Sequence, residues 1–456
     1  MGRGKRQAAF DKDWTKGSIV HNLLSLSWPI VISNSLNMLG PTIDMIWVGK
    51  LGAASIAGVG ISGMAVTLMY SMRLGLSVGT RAMIARFMGA GDTEGANHVS
   101  QQALIVGISF GIFIAIIGIF LTEPILLVMG VESDVITEGA AYMRIMFVGS
   151  VAMSLWTLTE SIMQASGDTL TPMRIAVFFR LLHAIICPFL TFGWWVFPRL
   201  GVSGAALTNI ISQTVGLTLG LLFLFSGRTR LRLTLRSLRL DLIIIWRIVR
   251  IGIPAAITGF ERSFANLVLV RLVVPFGTMS VAAHSLLQRV NDIIYMPGRG
   301  LGMAGGVLVG QNLGAGQPAR SERTGWLTSG LLTSIMLICS MAIWLRAESI
   351  VHIFSTEPDV VKITSTFMRI EIASYLVYGF AIVLTECLNG AGDTMTPMLV
   401  TLLTMWGMQI PLAFFLPRIT TLGVYGVRWA IVSGMIVRSV IYITYFRLGR
   451  WKRQKI

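Results

Sequence analysis

Six carboxylates fall inside long apolar stretches of this chain: Asp44, Glu160, Glu261, Asp292, Glu371 and Glu386. In a bilayer each costs about 2.5–3.5 kcal/mol at a helix centre, so each is a functional candidate by default. Asp44 is the sharpest. It closes a run from Ser33 to Asp44, and Asn37, seven residues earlier, lies two helical turns away on the same face. Pro41 removes a donor and frees backbone carbonyls beside it. A carboxylate next to free carbonyls can hold a proton or sodium; the competing reading is a buried Asp that stays paired or neutral. Glu261 is next, and Arg262 points about 100° away from it on a helix. Asp292 has Arg289 three residues before it, which reads first as a structural ion pair. Glu160 and Glu386 sit near span ends, where snorkelling or loop contacts account for them, and Glu371 lies beside Arg369. His183, with Arg180 one turn before and Cys187 one turn after, is either a titrating group or a hydrogen-bonded interior histidine.

Enzyme chemistry finds no residues to work with. Gly58, Gly60 and Gly63 match a dinucleotide-binding spacing, but no strand precedes them, and close helix packing explains them. Walker A, HExxH and GxSxG patterns are missing, and Cys187, Cys339 and Cys387 lack metal-ligand spacing. The chain is expected to be no enzyme, with no cofactor and no resident metal, and to draw on an ion gradient.

The elements that must hold these residues follow from hydropathy. Of 456 residues 54% are apolar and 13% charged, against about 25% charged in a soluble domain. Such a chain cannot stay disordered, nor cover the surface of a soluble multi-domain enzyme. Twelve stretches approach the roughly 20 residues a transmembrane helix needs. Strand alternation is missing, so the expected class is an all-α polytopic membrane protein. Its parts would be a tail (1–26), six helices (27–225), a basic linker (226–249), six more helices (250–446) and a second tail (447–456). The net charge of +16 concentrates there: Arg3, Lys5, Arg6, Lys12 and Lys16 in the first tail, seven arginines from Arg228 to Arg250 about the linker, and Arg447, Arg450, Lys452, Arg453 and Lys455 at the end. The third-to-fourth connection carries Glu123, Glu132, Asp134 and Glu138 instead. Basic segments stay cytoplasmic, which predicts both termini inside a bacterial or archaeal plasma membrane. The basic residues are expected to meet anionic lipid and no nucleic acid. The first residues lack a cleavable signal pattern.

The chain also repeats itself at an offset of 225. Pro29 matches Pro254, Gly89–Gly91 match Gly314–Gly316, Met143–Ile145 match Met368–Ile370, and Gly167-Asp-Thr matches Gly392-Asp-Thr. Six spans per half put both halves in one orientation, with a pseudo-twofold axis along the membrane normal, as in parallel-repeat transporters.

These stretches resemble the multidrug and toxic compound extrusion (MATE) family of cation-coupled antiporters. The likeness rests on Trp28-Pro29-Ile30, Asp44 and Val48–Gly52, then Phe87–Gly91, Gly167–Pro172, Gly252–Glu261, Ala282–Pro297 and Gly310–Gly316, and covers about residues 20–450. The resemblance implies two six-helix lobes about a central cleft and export of amphipathic, often cationic compounds against protons or sodium. Asp44 matches the family's first-helix aspartate, and Glu261 a seventh-helix glutamate. His183 and Cys187 stand where some branches have Asn and Asp, and Asn209 where Thr is frequent. One carboxylate fewer favours a proton over sodium. The cation set is thus Asp44, Asn37, His183, Asn209 and Glu261; the cleft set is Asn34, Phe264, Asp292, Tyr295 and Met296. Small organic substrates, lipid contact and a monomer complete the expectation. The rival within the superfamily is a flippase for a lipid-linked or other amphipathic metabolite, kept open by Arg73, Arg180, Arg262, Arg271, Arg289 and Arg299.

Overall fold

A computed structural model describes residues 12–128, 133–235, 239–454 and 456. Arg3, Lys5, Arg6, Glu132, Arg236 and Lys455 lie outside them. Every regular element among the described residues is helical, as continuous apolar runs demand: inside a bilayer a helix satisfies its own backbone polar groups. In order these are α1 (Ile19–Val48), α2 (Ala53–Gly89), α3 (Thr93–Val128), α4 (Ser133–Val148), α5 (Ser150–Ser166), α6 (Leu170–Phe192), α7 (Val202–Phe225), α8 (Leu242–Val273), α9 (Thr278–Gly314), α10 (Pro318–His352), α11 (Pro358–Gly390), α12 (Met395–Thr404), α13 (Ile410–Ile419) and α14 (Val424–Leu448). A π-helical turn, Met405–Gln409, joins α12 to α13.

Among the described residues nine helices are long and apolar enough to cross a membrane, or ten if the bent pair Val135–Val148 and Ser150–Ser166 is one span. The fourth of the twelve apolar stretches falls on this pair, which is bent by 49° about Gly149. The long helices α1 and α9 fall below that test. They carry the polar residues of interest, including Asn34, Asn37 and Asp44 in one and His284, Asn291 and Asp292 in the other.

Small residues set the close packing. A Cβ on Gly75 of α2 would lie 2.4 Å from the Gly252 carbonyl oxygen of α8. The repeat is visible in backbone geometry. Gly167 and Gly392 end α5 and α11 with φ of 92° and 86°. After each, an Asp caps the next helix: Asp168 Oδ1 accepts from the Thr171 amide at 3.1 Å, and Asp393 Oδ1 from Thr396 at 3.3 Å.

The chain divides into two compact units, one of Met1–Trp14 with Ile32–Ala256, the other of Thr15–Val31 with Ile257–Ile456. The division falls inside α1, between Val31 and Ile32, and inside α8, between Ala256 and Ile257, whereas the sequence reading placed its lobe limits at 27, 225, 250 and 446. In the first unit Val48, Val59, Met146, Cys187, Val202 and Ala206 belong to one buried apolar cluster.

Candidate functional site

Asp44 is fully buried in the first unit, near the end of α1. Three other helices reach its carboxylate. The Tyr142 hydroxyl of α4 donates to Oδ2 at 3.1 Å, the Asn209 amide of α7 donates to Oδ2 at 3.2 Å, and His183 Nε2 of α6 lies 2.9 Å from Oδ1. Behind the histidine, Arg180 Nη1 sits 3.0 Å from His183 Nδ1. Spacing explains the geometry, since Arg180 and His183 are three residues apart on α6 and share a face. Gln213, four after Asn209 on α7, holds the Asn209 carbonyl oxygen by donating at 2.6 Å.

Donor and acceptor roles follow from elimination. A guanidinium can only donate, so Nδ1 of His183 accepts from Arg180. The ring proton is then assigned to Nε2, which donates to Asp44 Oδ1. The carboxylate accepts three hydrogen bonds, an arrangement suited to its charged form, and Arg180 is its counter-charge one imidazole away. Gly40 makes room for this arginine: a Cβ there would lie 2.4 Å from Arg180 Nη1.

Asp44, His183 and Cys187 place an oxygen, a nitrogen and a sulfur within 4.8 Å of one another, a donor set of the kind zinc takes. The surroundings argue against it. A metal on Nε2 moves the imidazole proton to Nδ1, where Arg180 already donates. A metal-bound histidine needs an acceptor at that position. As arranged, with Arg180 donating to Nδ1, the histidine does not suit a metal on Nε2.

Asn37 goes elsewhere. Two turns separate it from Asp44 by about 11 Å along the helix, and its side chain meets Glu160 instead. Glu160 does not snorkel as expected: it is buried, accepts from Gln164 Nε2 at 3.1 Å and faces Arg81. Asn34 is half-buried in the same unit.

The remaining candidates belong to the second unit. Glu261 is buried and faces Arg438, Arg262 and Trp406. Trp406, on the π turn, stacks on Phe264 at 5.6 Å. Tyr295 stacks on Tyr378 at 4.0 Å, and the neighbouring Met296 is half-buried. The Arg289–Asp292 ion pair does not form among the described residues: Arg289 runs out to an exposed face while Asp292 stays half-buried.

A second buried network escaped the sequence reading. Arg428 donates to Glu371 Oε1 at 3.0 Å and to His284 Nδ1 at 2.6 Å. Asn291 donates to Glu371 Oε2 at 2.8 Å, and Tyr375 to Asn291 at 2.6 Å. Arg369 instead pairs with Glu348. At the repeat offset His284, Asn291 and Glu371 correspond to Val59, Val66 and Met146, and Arg428 to Ala206 through Gly201-Val-Ser-Gly against Gly423-Val-Tyr-Gly. All four counterparts lie in or against the apolar cluster of the first unit. Conversely Asp44 and Tyr142 correspond to Leu269 and Phe367, both buried. The halves have exchanged polarity at matched positions, a signal the repeat alone could have raised.

The family profile described as MatE matches residues 29–189 and 254–415. The probable multidrug resistance protein YoeA of Bacillus subtilis is 25% identical over 97% of this chain and 96% of its own length. The probable multidrug resistance protein NorM of Thermotoga maritima is 25% identical over 95% and 93%. A solved structure of MATE in the bent conformation superposes with a TM-score of 0.90 at 24% identity, covering 95% of this chain and 96% of that one.

Proposed function

Because the chain belongs to the MatE family of membrane transporters, and is no enzyme, we propose that it exports amphipathic, often cationic compounds in exchange for protons, with Asp44 as the coupling group. The carrying observation is the fully buried carboxylate that accepts from Tyr142, Asn209 and His183, with Arg180 behind. A proton arriving from outside neutralises Asp44. Oδ1 or Oδ2 then becomes a donor facing donors, and Arg180 loses its counter-charge. The Gly40–Asp44 stretch of α1, softened by Pro41, has to repack. Substrate leaves outward, and the two lobes rock toward the cytoplasm. Sodium fits less well, because nitrogen donors occupy positions where a hard cation takes oxygens.

The protein spans the plasma membrane twelve times as a monomer in this reading, with both basic tails and the basic linker in the cytoplasm. The test is dye transport by everted vesicles under imposed proton or sodium gradients. Asp44→Asn is expected to abolish proton-driven accumulation while the protein still inserts. Undiminished proton-coupled transport by that variant sinks the Asp44 assignment, and transport driven by sodium alone replaces the proton.

A further inference from the structure

The buried arginines of the first unit are not equivalent. Arg180 is committed to His183, and Arg81 faces Glu160. Arg73, in the middle of α2, is 5% exposed, and among the described residues its one neighbour of note is the Tyr70 ring, 5.5 Å from the guanidinium carbon. Among the described residues of the first unit no buried carboxylate is left for it. Asp44 is taken by three donors, Glu160 by Gln164, Asn37 and Arg81, and Asp168 by the Thr171 cap with Arg230 and Arg174. Its Nε is enclosed without a hydrogen-bond partner, whereas the terminal nitrogens are not enclosed. A buried, uncompensated guanidinium is strongly unfavourable unless an anion meets it. Here the open end of the group is the end that makes forked contacts with oxyanions. Tyr70, one turn before Arg73 and 41% exposed, adds an aromatic surface beside that charge.

We propose that Arg73 is an oxyanion seat for the carboxylate of an amphipathic solute, the residue that sets an acid above its ester among the compounds this chain carries. The inference rests on the exporter reading and adds a specificity-determining residue to it. The carboxylate docks on the terminal nitrogens of Arg73, and its apolar body lies along Tyr70.

A matched pair of fluorescent probes tests this: a rhodamine bearing a free carboxylate and its methyl ester, which differ in that one charge. Binding is read by fluorescence anisotropy on the full-length protein in phosphatidylcholine nanodiscs. The wild-type chain is expected to hold the acid about tenfold more tightly than the ester, the factor a charged hydrogen bond confers. Arg73→Gln should bring that ratio to about one by weakening the acid, and Arg73→Lys should keep part of it. Ester binding by the wild-type chain without preference for the acid overturns the seat alone, even if the Gln variant does not fold, and so does a ratio that Arg73→Gln leaves intact. Binding of neither probe overturns the seat and counts against the exporter reading too.

Discussion

At the scale of single residues, the Asp44 cluster is a chain of forced roles. Arginine cannot accept, so the histidine must, and the carboxylate receives what remains. Gly40 is the least obvious member. Alanine has the higher helix propensity by about 1 kcal/mol, so Gly40→Ala would stabilise a helix with room to spare. With a Cβ 2.4 Å from Arg180 Nη1, the opposite is expected. The variant should lower the melting temperature in detergent, by an amount corresponding to about 1–3 kcal/mol, and blunt proton-driven transport. A higher melting temperature with transport intact would show that the guanidinium simply moves aside. Asp44 and His183 were legible in the sequence, because an ionisable group in an apolar run announces itself; Asn209 was reached through the family likeness. Tyr142 was not legible, since a tyrosine in an apolar helix looks like packing. Asn37 misled for a related reason: a shared helical face is not a shared depth.

Among the elements, the start of α8 carries a separate, aqueous-side device. Asp241 Oδ1 accepts from the backbone amides of Ile243 at 2.9 Å and Ile244 at 3.1 Å, and His98 Nε2 lies 3.1 Å from Oδ2. The Ile244 amide first, then His98, hold this carboxyl below its ordinary value. A depressed folded-state value means the cap is fully present above the unfolded carboxylate value of about 4 and fades as pH falls through the lower folded one. Protection of the Ile243 and Ile244 amides, taken relative to intrinsic exchange at each pH, is therefore expected to fall below pH about 4 and to be low at every pH in Asp241→Ala. A protection factor that does not change with pH in the wild-type protein would remove the cap from consideration. Close helix contacts make a harsher prediction. A Cβ on Gly390 would fall 2.1 Å from the Gly306 carbonyl oxygen, and backbone cannot swing away as a side chain can. Gly390→Val should lose folded protein, measured as monodisperse material after extraction. The order of the helices was readable from hydropathy, but their lengths were not, since helices such as α2, α3 and α10 run well past their apolar stretches; the bend at Gly149 and the π turn were not readable either, because neither interrupts the apolar run.

Across the whole molecule, duplication was the most legible feature and the exchange of polarity the least. Matching residues revealed the repeat, whereas the second network consists of positions that fail to match. Glu371→Gln leaves the buried Arg428 without its counter-charge and should destabilise by about 3–5 kcal/mol. Installing the first half's own solution, Glu371→Met with Arg428→Ala and His284→Val, should recover much of that loss. Chemical melts of the single and triple variants decide it: a triple variant as unstable as Glu371→Gln would mean the second unit cannot pack as an apolar core.

The division of the two units inside α1 and α8 bears on how such a chain can be taken apart or built up. A cut in the linker yields two pieces, each short of a half-helix that its own unit requires and carrying one that belongs to the other. Neither fragment should mature alone, yet the two co-expressed should reconstitute by trading those half-helices. An isolated half of this chain would be under the same constraint, and two copies of it exchanging that segment as an obligate pair would meet it.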